Sequence, residues 1–445
     1  MNELTKVIRL EIVKPVNSDW KTVGPRLREV QRMTAEALNF CIRRYYLEAA
    51  EKLENLKKER IKPKRSLLGV GNSYCKLLGE KYQDKIPSYV YSAISNIARQ
   101  RFDKDWFNIL VKGSMSLPSY RNDCPIYIAR IGQYGVQIRE DEDDKGKNRY
   151  LRLQISPKVG QRAEITEFVL HNSCFDESRS AIWDRLIQGQ YKLRSVQLLY
   201  KKRLKKWFAN ISYRFEPEVA IGLDPNTRVG VDLGLSVPVY LALNNGFGRA
   251  ALREEGDSIQ SFRRQLDNRR RRLRRNERGI LERRTGHGKQ HKIGSIEKLR
   301  ELENNFRRTA NHRLSRAVIN FSLKYHAGVI VVENLKHFYD EKCEDSFLKT
   351  WTYHELQTMI EQKAQEVGIT VQKVDPHYTS QRCSKCGHID PKNRNGRDFQ
   401  CVQCGYQCQA DFNAARNLAK PHIEAIIKSS LKAEKSEVNQ GNCSP

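Results

Sequence analysis

Residues Cys383–Ala419 read CSKCGHIDPKNRNGRDFQCVQCGYQCQADFNAARNLA, and this stretch decides how the rest of the chain is interpreted. It contains two Cys-x-x-Cys-Gly units, one at Cys383 and Cys386 and the other at Cys401 and Cys404. Each such turn places two thiolates at corners of a tetrahedron, so two turns complete a metal site. Two disulfide bonds are the alternative, but the spacing is that of four-cysteine zinc sites and nothing in the sequence indicates export. The sequence therefore predicts one structural Zn²⁺ ion.

A zinc ion with four cysteine ligands has no open coordination position, so this site cannot itself be catalytic. We expect the zinc-binding segment to position another group. The first candidate is Asp411, which opens an alanine-rich helix predicted over 411–418. A helix N-cap is the simpler role for an aspartate at this place. Two further acidic residues upstream favour a different role.

Those residues are Asp232, inside the apolar run VGVDLG, and Glu333, in the apolar run VIVVENL. An acid in a buried strand is costly unless it is paired or binds a cation. The order of predicted elements brings Asp232, Glu333 and Asp411 to one edge of a mixed sheet, where divalent cations would relieve their repulsion. Oxygen ligands suit Mg²⁺, and two ions about 3.5–4 Å apart support phosphodiester hydrolysis. The pattern indicates this chemistry on a sheet of the ribonuclease H type.

The charge of the chain indicates a polyanionic partner. Its 445 residues include 80 Lys and Arg against 52 Asp and Glu, a formal net charge of +28. A membrane surface is the alternative, but no apolar run approaches a membrane-spanning length. The densest basic run predicts a phosphate-binding helix, with a merely solvated helix face as the alternative. Its candidate nucleic-acid-binding residues are Arg269, Arg270, Arg271, Arg272, Arg274 and Arg275.

Periodicity divides the first half of the chain into strands and helices. Residues 7–13 alternate as a strand and lack the long apolar core of a signal peptide. Helical spacing follows over 20–59 and again after Pro87, and short alternating strands occupy 125–215. We therefore predict a helical segment inserted into a small antiparallel barrel. The cysteines outside the zinc motif are scattered, as expected of reduced thiols in a cytosol.

Several blocks of this sequence resemble a known family. VGVDLG, VIVVENL, HYTSQRCSKCGHID and NRNGRDFQCVQCGYQCQADFNAARNLA are similar to the split RuvC nuclease and zinc ribbon of TnpB-like proteins and type V CRISPR effectors. EIVKPVNSDW, MSLPSYRND and LKTWTYHELQ resemble the miniature type V-F effectors, so the resemblance extends to about residue 428. It implies that Asp232, Glu333 and Asp411 are catalytic Mg²⁺ ligands and that Arg394 is an active-site arginine. The helical segment has no Cys-x-x-Cys, so the N-terminal zinc finger of some members is missing.

The resemblance also implies a multidomain α+β fold. A helical recognition domain (17–112) would be inserted into a wedge β-barrel (1–16 and 113–222). An RNase H-like (RuvC) mixed α/β domain (223–377 and 409–432) would follow, with an inserted zinc-ribbon domain (378–408) that binds target nucleic acid. Residues 433–445 are expected to form a disordered tail.

The implied function is that of a guide-RNA-directed DNA endonuclease of a CRISPR defence system in the prokaryotic cytoplasm. Such a protein would recognise a short motif beside its double-stranded target and cut it at a single RuvC site. It would bind one RNA as an asymmetric homodimer, with the apolar helix faces at 23–45 or 90–110 as candidate contacts. A transposon-encoded TnpB-like nuclease and a non-catalytic nucleic-acid-binding regulator are the alternatives.

Overall fold

The computed structural model describes residues 3–63, 74–83, 85–132, 135–143, 146–155, 165–202, 204–234, 237–246, 248–281, 287–334 and 353–440. Within helices, the side chains of 92, 253–256, 263, 273–281, 287–297 and 433–440 fall outside this description. The chain forms two compact units, Met1–Glu216 and Pro217–Pro445. Among the helices of the described ranges, none combines the length and apolar character needed to cross a membrane.

The first unit is built on a seven-stranded antiparallel sheet. Its strands are β1 (Leu4–Pro15), β2 (Ile126–Ile128), β3 (Gln137–Asp143), β4 (Gly146–Gln154), β5 (Ile165–Leu170), β6 (Lys192–Lys201) and β7 (Lys206–Phe215). They follow the order β2-β6-β7-β1-β5-β4-β3, so the N-terminal strand lies in the middle of the sheet. The edge strands β2 and β3 do not pair with each other in the described residues, and closure into a barrel is therefore not confirmed.

Three helices lie between the first and second strands, and the sequence predicts the first and the third of them. They are α1 (Trp20–Lys58), α2 (Cys75–Tyr82) and α3 (Ser88–Trp106). Helix α1 begins after Asp19, whose carboxylate accepts a hydrogen bond from the N–H of Thr22 at 2.8 Å. The sequence did not predict a further helix, α4 (Glu177–Ile187), which Trp183 anchors in the core.

The apolar helix faces of this unit are part of its own core. Val23, Leu27 and Val30 of α1, and Val90 and Ile94 of α3, are all buried within a single cluster of the unit. The proposal that these faces contact a second copy of the chain is therefore wrong for these residues, because they are already covered by the fold of one chain.

The second unit contains a five-stranded mixed sheet. Its strands are β8 (Asp224–Asp232), β9 (Tyr240–Leu243), β10 (Arg249–Ala251), β11 (Ala327–Glu333) and β12 (Thr370–Val374). The order is β10-β9-β8-β11-β12. Strand β11 runs parallel to both β8 and β12, whereas β8, β9 and β10 form an antiparallel meander. Each of the two runs predicted to carry an acid is thus a central strand.

Helices cover both faces of this sheet. They are α5 (Arg253–Leu281), α6 (His287–Lys324), α7 (Tyr353–Val367), α8 (Ala410–Ala419) and α9 (Ile423–Gln440). Ile330 and Val332 of β11 pack in the cluster that includes α6 and α7, while Val329 and Val331 pack against Leu418 of α8. Because neighbouring side chains of a strand point to opposite faces, α8 lies across the sheet from α6 and α7.

Between β12 and α8 the chain forms a small three-stranded antiparallel ribbon. Its strands are β13 (Arg394–Asn395), β14 (Asp398–Gln400) and β15 (Gln407–Gln409). After α8, helix α9 continues through 433–440, where the sequence predicts the start of a disordered tail. The alanine, lysine and glutamate of this segment are good helix formers, which accounts for the difference. Residues 441–445 lie outside the described part of the chain.

Candidate functional site

The four predicted zinc ligands converge in the ribbon. The Sγ atoms of Cys383 and Cys404 are 3.8 Å apart, those of Cys386 and Cys401 are 3.6 Å apart, and all four lie within 4.8 Å of one another. A tetrahedron with zinc–sulfur bonds of about 2.3 Å has edges of about 3.8 Å. A disulfide bond of about 2.05 Å is far shorter than either separation. The donor set fits Zn²⁺, and the alternative of two disulfides is not realised.

The glycines after each cysteine pair shape the two turns. Gly387 and Gly405 adopt φ angles of 90° and 67°, in the left-handed region that side-chain-bearing residues rarely occupy. The pKa of Cys404 is lowered to about 7 by a hydrogen bond from the backbone N–H of Tyr406. Burial raises the pKa of Cys386 to about 12. Because zinc binds thiolates, loading the site releases protons and becomes weaker as the pH falls.

Asp232 and Glu333 lie at the same edge of the five-stranded sheet. They end the adjacent parallel strands β8 and β11, and the preceding residues Val231 and Val332 are paired. Asp232 is only 9 % exposed. Burial raises the pKa of Asp232 well above its usual range, and the negative charges of Glu333 and Asp411 raise it further. The three predicted acids are therefore close enough to interact electrostatically.

Asp411 is not the N-cap of its helix. Helix α8 begins at Ala410 after the N-cap Gln409, so Asp411 lies in the first turn. Its Oδ1 accepts a hydrogen bond from Nη2 of Arg394 at 3.3 Å, and its Oδ2 accepts one from Nε2 of Gln409 at 3.5 Å. The N-cap interpretation is thus wrong. The predicted site arginine, Arg394, lies beside this acid.

Gly230 determines how closely α8 approaches the sheet. A Cβ atom at Gly230 would lie 1.9 Å from the main-chain oxygen of Ala415 and 2.6 Å from the main-chain nitrogen of Ala419. Any side chain would therefore push the helix away from β8 and carry Asp411 away from Asp232. The glycine before Asp232 in VGVDLG is required for this packing.

Two residues that sequence reasoning missed hold Glu333. Nε2 of the buried Gln357 donates to the main-chain oxygen of Glu333 at 2.6 Å, and Oγ1 of Thr379 lies 2.7 Å from Oε1 of its carboxylate. Burial raises the pKa of Glu333, while the Thr379 hydrogen bond and the charge of Arg394 lower it. The sequence signals were two of the blocks quoted above: HYTSQRC contains Thr379, and LKTWTYHELQ ends at Gln357.

The acidic residues supply the hard oxygen donors that Mg²⁺ prefers. In the described residues, no hydrogen bond reaches the carboxylate of Asp232, which leaves a nearly buried acid in need of a cation. The four cysteines are the only described group of three or more ligand-type residues whose donor atoms all lie within 4.8 Å of one another. The three carboxylates do not form such a group, so their donor atoms are spread over more than 4.8 Å. The acidic donor set thus fits Mg²⁺.

The structure separates the residues of the basic run. Helix α5 packs on α6 through Leu266 and through a stack of Phe262 on Phe306. Arg270 forms ion pairs with Glu303 of α6 and with Asp267. Arg269, Arg271 and Arg272 are exposed, and the side chains of Arg274 and Arg275 lie outside the described residues. Sequence alone could not distinguish Arg270 from its neighbours.

Comparison with known proteins identifies the family. Residues 353–418 match the family model described as Cas12f1-like, TNB domain. The CRISPR-associated endodeoxyribonuclease Cas12f1 of Sulfoacidibacillus thermotolerans is 36% identical over 96% of this chain and 100% of its own length. Cas12f1 of Syntrophomonas palmitatica is 29% identical over 96% and 90% of the two chains.

Among solved structures, the Cas12f1 chain of a cryo-EM complex with sgRNA and target DNA matches with a TM-score of 0.72 at 20% identity. That match covers 95% of this chain and 99% of the other. The structural likeness establishes a shared multidomain α+β fold. Because a relative with more than one third of its residues identical aligns along its entire length, the chain belongs to the Cas12f1 family of CRISPR-associated endodeoxyribonucleases.

Proposed function

We propose that this protein is a guide-RNA-directed, Mg²⁺-dependent DNA endonuclease of a CRISPR defence system, acting in the prokaryotic cytoplasm. The observation that carries the proposal is the nearly buried Asp232, with Glu333 and Asp411 close enough to raise its pKa. Full-length relatives named endodeoxyribonucleases support DNA as the substrate. A regulator without catalysis would have no need of a costly cluster of acids.

The catalytic centre is assigned to residues that the fold holds in place. Asp232, Glu333 and Asp411 would hold two Mg²⁺ ions, which when bound supply an activated water and stabilise the leaving oxygen of a phosphodiester. Gln357 and Thr379 orient Glu333 through its main chain and its side chain. Arg394 presents a permanent positive charge beside Asp411, suited to stabilising negative charge that develops on the phosphate.

The remaining parts of the chain would bind nucleic acid. The strand order β10-β9-β8-β11-β12, an antiparallel meander joined to parallel strands, supports an RNase H-like (RuvC) nuclease domain over 223–377 and 409–432. The helices of 17–112 would form the recognition domain, and the seven-stranded sheet would be the wedge domain. The ribbon of 378–408 would contact target nucleic acid. Recognition of a short motif beside the target belongs to the same proposal.

Reconstitution with its own RNA tests the function. RNA that co-purifies with the protein is sequenced, and its guide segment is then replaced to match a chosen plasmid. We expect Mg²⁺-dependent cleavage of the matched plasmid and none of a mismatched one. RNA from a transposon end would favour the TnpB-like alternative, and guided binding without any cleavage would favour the regulator. Cleavage that ignores the guide would overturn the proposal.

We also propose that the exposed arginines of α5 bind the phosphates of RNA. Replacing Arg269, Arg271 and Arg272 together by alanine should make the salt dependence of RNA binding less steep. Each lost contact lowers the slope of log K against log[salt] by about 0.7 to 0.9. The triple Arg→Lys variant keeps the charges and is the matched control, with a slope close to that of the unaltered protein. Equal slopes for all three proteins would show that these arginines do not contact RNA phosphates and only form a solvated helix face.

The asymmetric homodimer remains part of the proposal because the helical segment is small. Residues 17–112 provide little surface to enclose a guide–target duplex of about 20 base pairs, the length bound by Cas9. A second copy of the chain would supply the missing wall. Light scattering of the RNA-bound complex should then give the mass of two 51.8 kDa chains and one RNA. A mass of one chain with one RNA would exclude the dimer.

A further inference from the structure

A buried polar network joins helix α8 to the segment that enters the ribbon. Asn413 and Asn417 lie one turn apart on α8 and are 0% exposed. Nδ2 of Asn417 donates to the main-chain oxygens of Thr379 at 2.9 Å and Arg382 at 2.6 Å. Nδ2 of Asn413 also donates to Arg382 O at 2.8 Å, and its Oδ1 accepts from Ser384 N at 2.9 Å. Both amides thus hydrogen-bond to the segment 379–384.

Arg382 connects this network to the zinc-binding turn. Its Nη1 donates to Oδ1 of Asn417 at 2.9 Å. Arg382 is only 6% exposed. Its guanidinium also lies against the turn after Cys383, since a Cβ at Gly387 would be 3.1 Å from Nη2. A zinc ion with four thiolates carries a net charge of about −2, which a neighbouring buried cation offsets.

Thr379 connects the same network to Glu333, at the sheet edge that carries the acidic residues. Its Oγ1 lies 2.7 Å from Oε1 of Glu333 and 2.9 Å from the main-chain oxygen of Pro376. The single hydroxyl proton goes to the carboxylate, which is the nearer and the charged acceptor. Thr379 therefore accepts a hydrogen bond from Asn417 of α8 at its main-chain oxygen and donates one to Glu333 from its hydroxyl.

We propose that Thr379, Arg382, Asn413 and Asn417 form a latch that couples the folded zinc ribbon to the placement of Glu333 and Asp411. The inference rests on the proposed function, because it takes these two acids as the metal ligands. Buried side-chain hydrogen bonds favour one arrangement of the elements they join, because any other arrangement would leave buried polar groups without their partners. Here those elements are the ribbon entry, the helix that carries Asp411, and the end of the strand that carries Glu333. The four latch residues are positioning residues that act through the two acids.

Thr379→Val tests the link to Glu333 without changing side-chain shape. We expect the Mg²⁺ concentration for half-maximal cleavage to rise about tenfold, in line with loss of a hydrogen bond to a charged group. Zinc content and guide-dependent target binding should stay unchanged, and Thr379→Ser should restore the Mg²⁺ dependence. Thr358→Val is the matched control, since that hydroxyl donates only within its own helix, to the main-chain oxygen of His354. An unaltered Mg²⁺ dependence in Thr379→Val would overturn the latch.

A second measurement does not depend on activity. In the protein–RNA complex, the Asn417→Leu variant should lose its zinc to a chromogenic chelator faster than the unaltered protein does. Its main-chain amides at the end of β11 should also exchange hydrogen for deuterium faster. Thr379→Val should increase that exchange while leaving zinc transfer unchanged. Unchanged exchange at the end of β11 in both variants would contradict the coupling, and the Thr379 comparison stands if Asn417→Leu fails to fold.

Glu333→Gln separates this inference from the proposed function. If Glu333→Gln cuts guided target at the unaltered rate, the catalytic assignment fails and the latch fails with it. If Glu333→Gln is inactive while Thr379→Val behaves like the unaltered protein in Mg²⁺ dependence and exchange, only the latch is wrong.

Discussion

Asp232→Asn is expected to abolish cleavage of guided target DNA, by about a thousandfold or more, while RNA and target binding persist. The substitution keeps the shape of the side chain but removes the negative charge from the most buried of the three acids. A neutral amide is a much poorer ligand for Mg²⁺ than a carboxylate, so the two-ion site would not form. Cleavage rates and target binding, measured on one preparation, check this result. Wild-type cleavage by the purified variant would refute the assignment.

The same substitution should stabilise the metal-free protein. Burial and two neighbouring negative charges raise the pKa of Asp232, so the folded state binds its proton more tightly than the unfolded state does. For an acid with a raised pKa, stability declines as the pH rises above the usual carboxyl range. Asp232→Asn removes this penalty, so its melting temperature should exceed that of the unaltered protein, and by more at pH 8 than at pH 5. A lower melting temperature at pH 8 would contradict the electrostatic account.

Asp224→Asn is the matched control on the same strand. Hydrogen bonds from Thr227 and Asn226 lower the pKa of Asp224, the opposite sign to Asp232. Its contribution to stability is present above the pKa of the unfolded state and is lost as the pH falls. Asp224→Asn should therefore lower the melting temperature at neutral pH and leave cleavage close to the unaltered rate.

The raised pKa also predicts how cleavage depends on pH. Only an ionised carboxylate binds Mg²⁺ well, so protonation of Asp232 competes with the metal. Cleavage by the unaltered protein should fall on acidification at a pH above the range of an ordinary carboxylate. Higher Mg²⁺ concentrations should shift that loss to lower pH, because Mg²⁺ and the proton compete for the Asp232 carboxylate.

Sequence alone predicted the features that depend on local patterns. The two cysteine turns are complete within a few residues each, and the structure brings all four thiols together. Asp232 and Glu333 stood out because each interrupts or ends an apolar strand, and parallel neighbours share an edge. Helix α1 was predicted because three- to four-residue spacing persists along its whole length.

The contacts that orient the site could not be predicted in this way. Thr379 meets Glu333 across 46 positions of sequence, and Asn417 meets Thr379 across 38. Gly230 was visible only as a glycine in a strand, because its role depends on a helix that begins far downstream. The partner of Arg270, Glu303, lies on the next helix, so composition could not show that one arginine of the run is engaged within the fold. These contacts depend on packing between distant segments.

Cys401→Ser is the second substitution expected to have a large effect, although it lies outside the acidic edge. The ribbon has a very small apolar core, in which Phe399, Cys383 and Cys401 pack with Ala410. Such a core cannot offset the entropy of ordering the segment, whereas a structural zinc contributes about 10–16 kcal/mol in isolated zinc-finger peptides. We expect zinc content to fall from about one per chain to a small fraction, with cleavage reduced about a hundredfold or more.

We expect Cys401→Ser to lose cleavage for a geometric reason, because the ribbon positions two residues of the site. It carries Arg394, and it leads directly into the helix whose first turn contains Asp411. Cys408→Ser is the matched control, since Cys408 lies in β15 beside the zinc site but is not one of its four ligands. That variant should keep its zinc and its activity. If zinc-free Cys401→Ser cut guided target as fast as Cys408→Ser, the ribbon would have no part in positioning Asp411, and the acids would have to be held by the sheet and α8 alone.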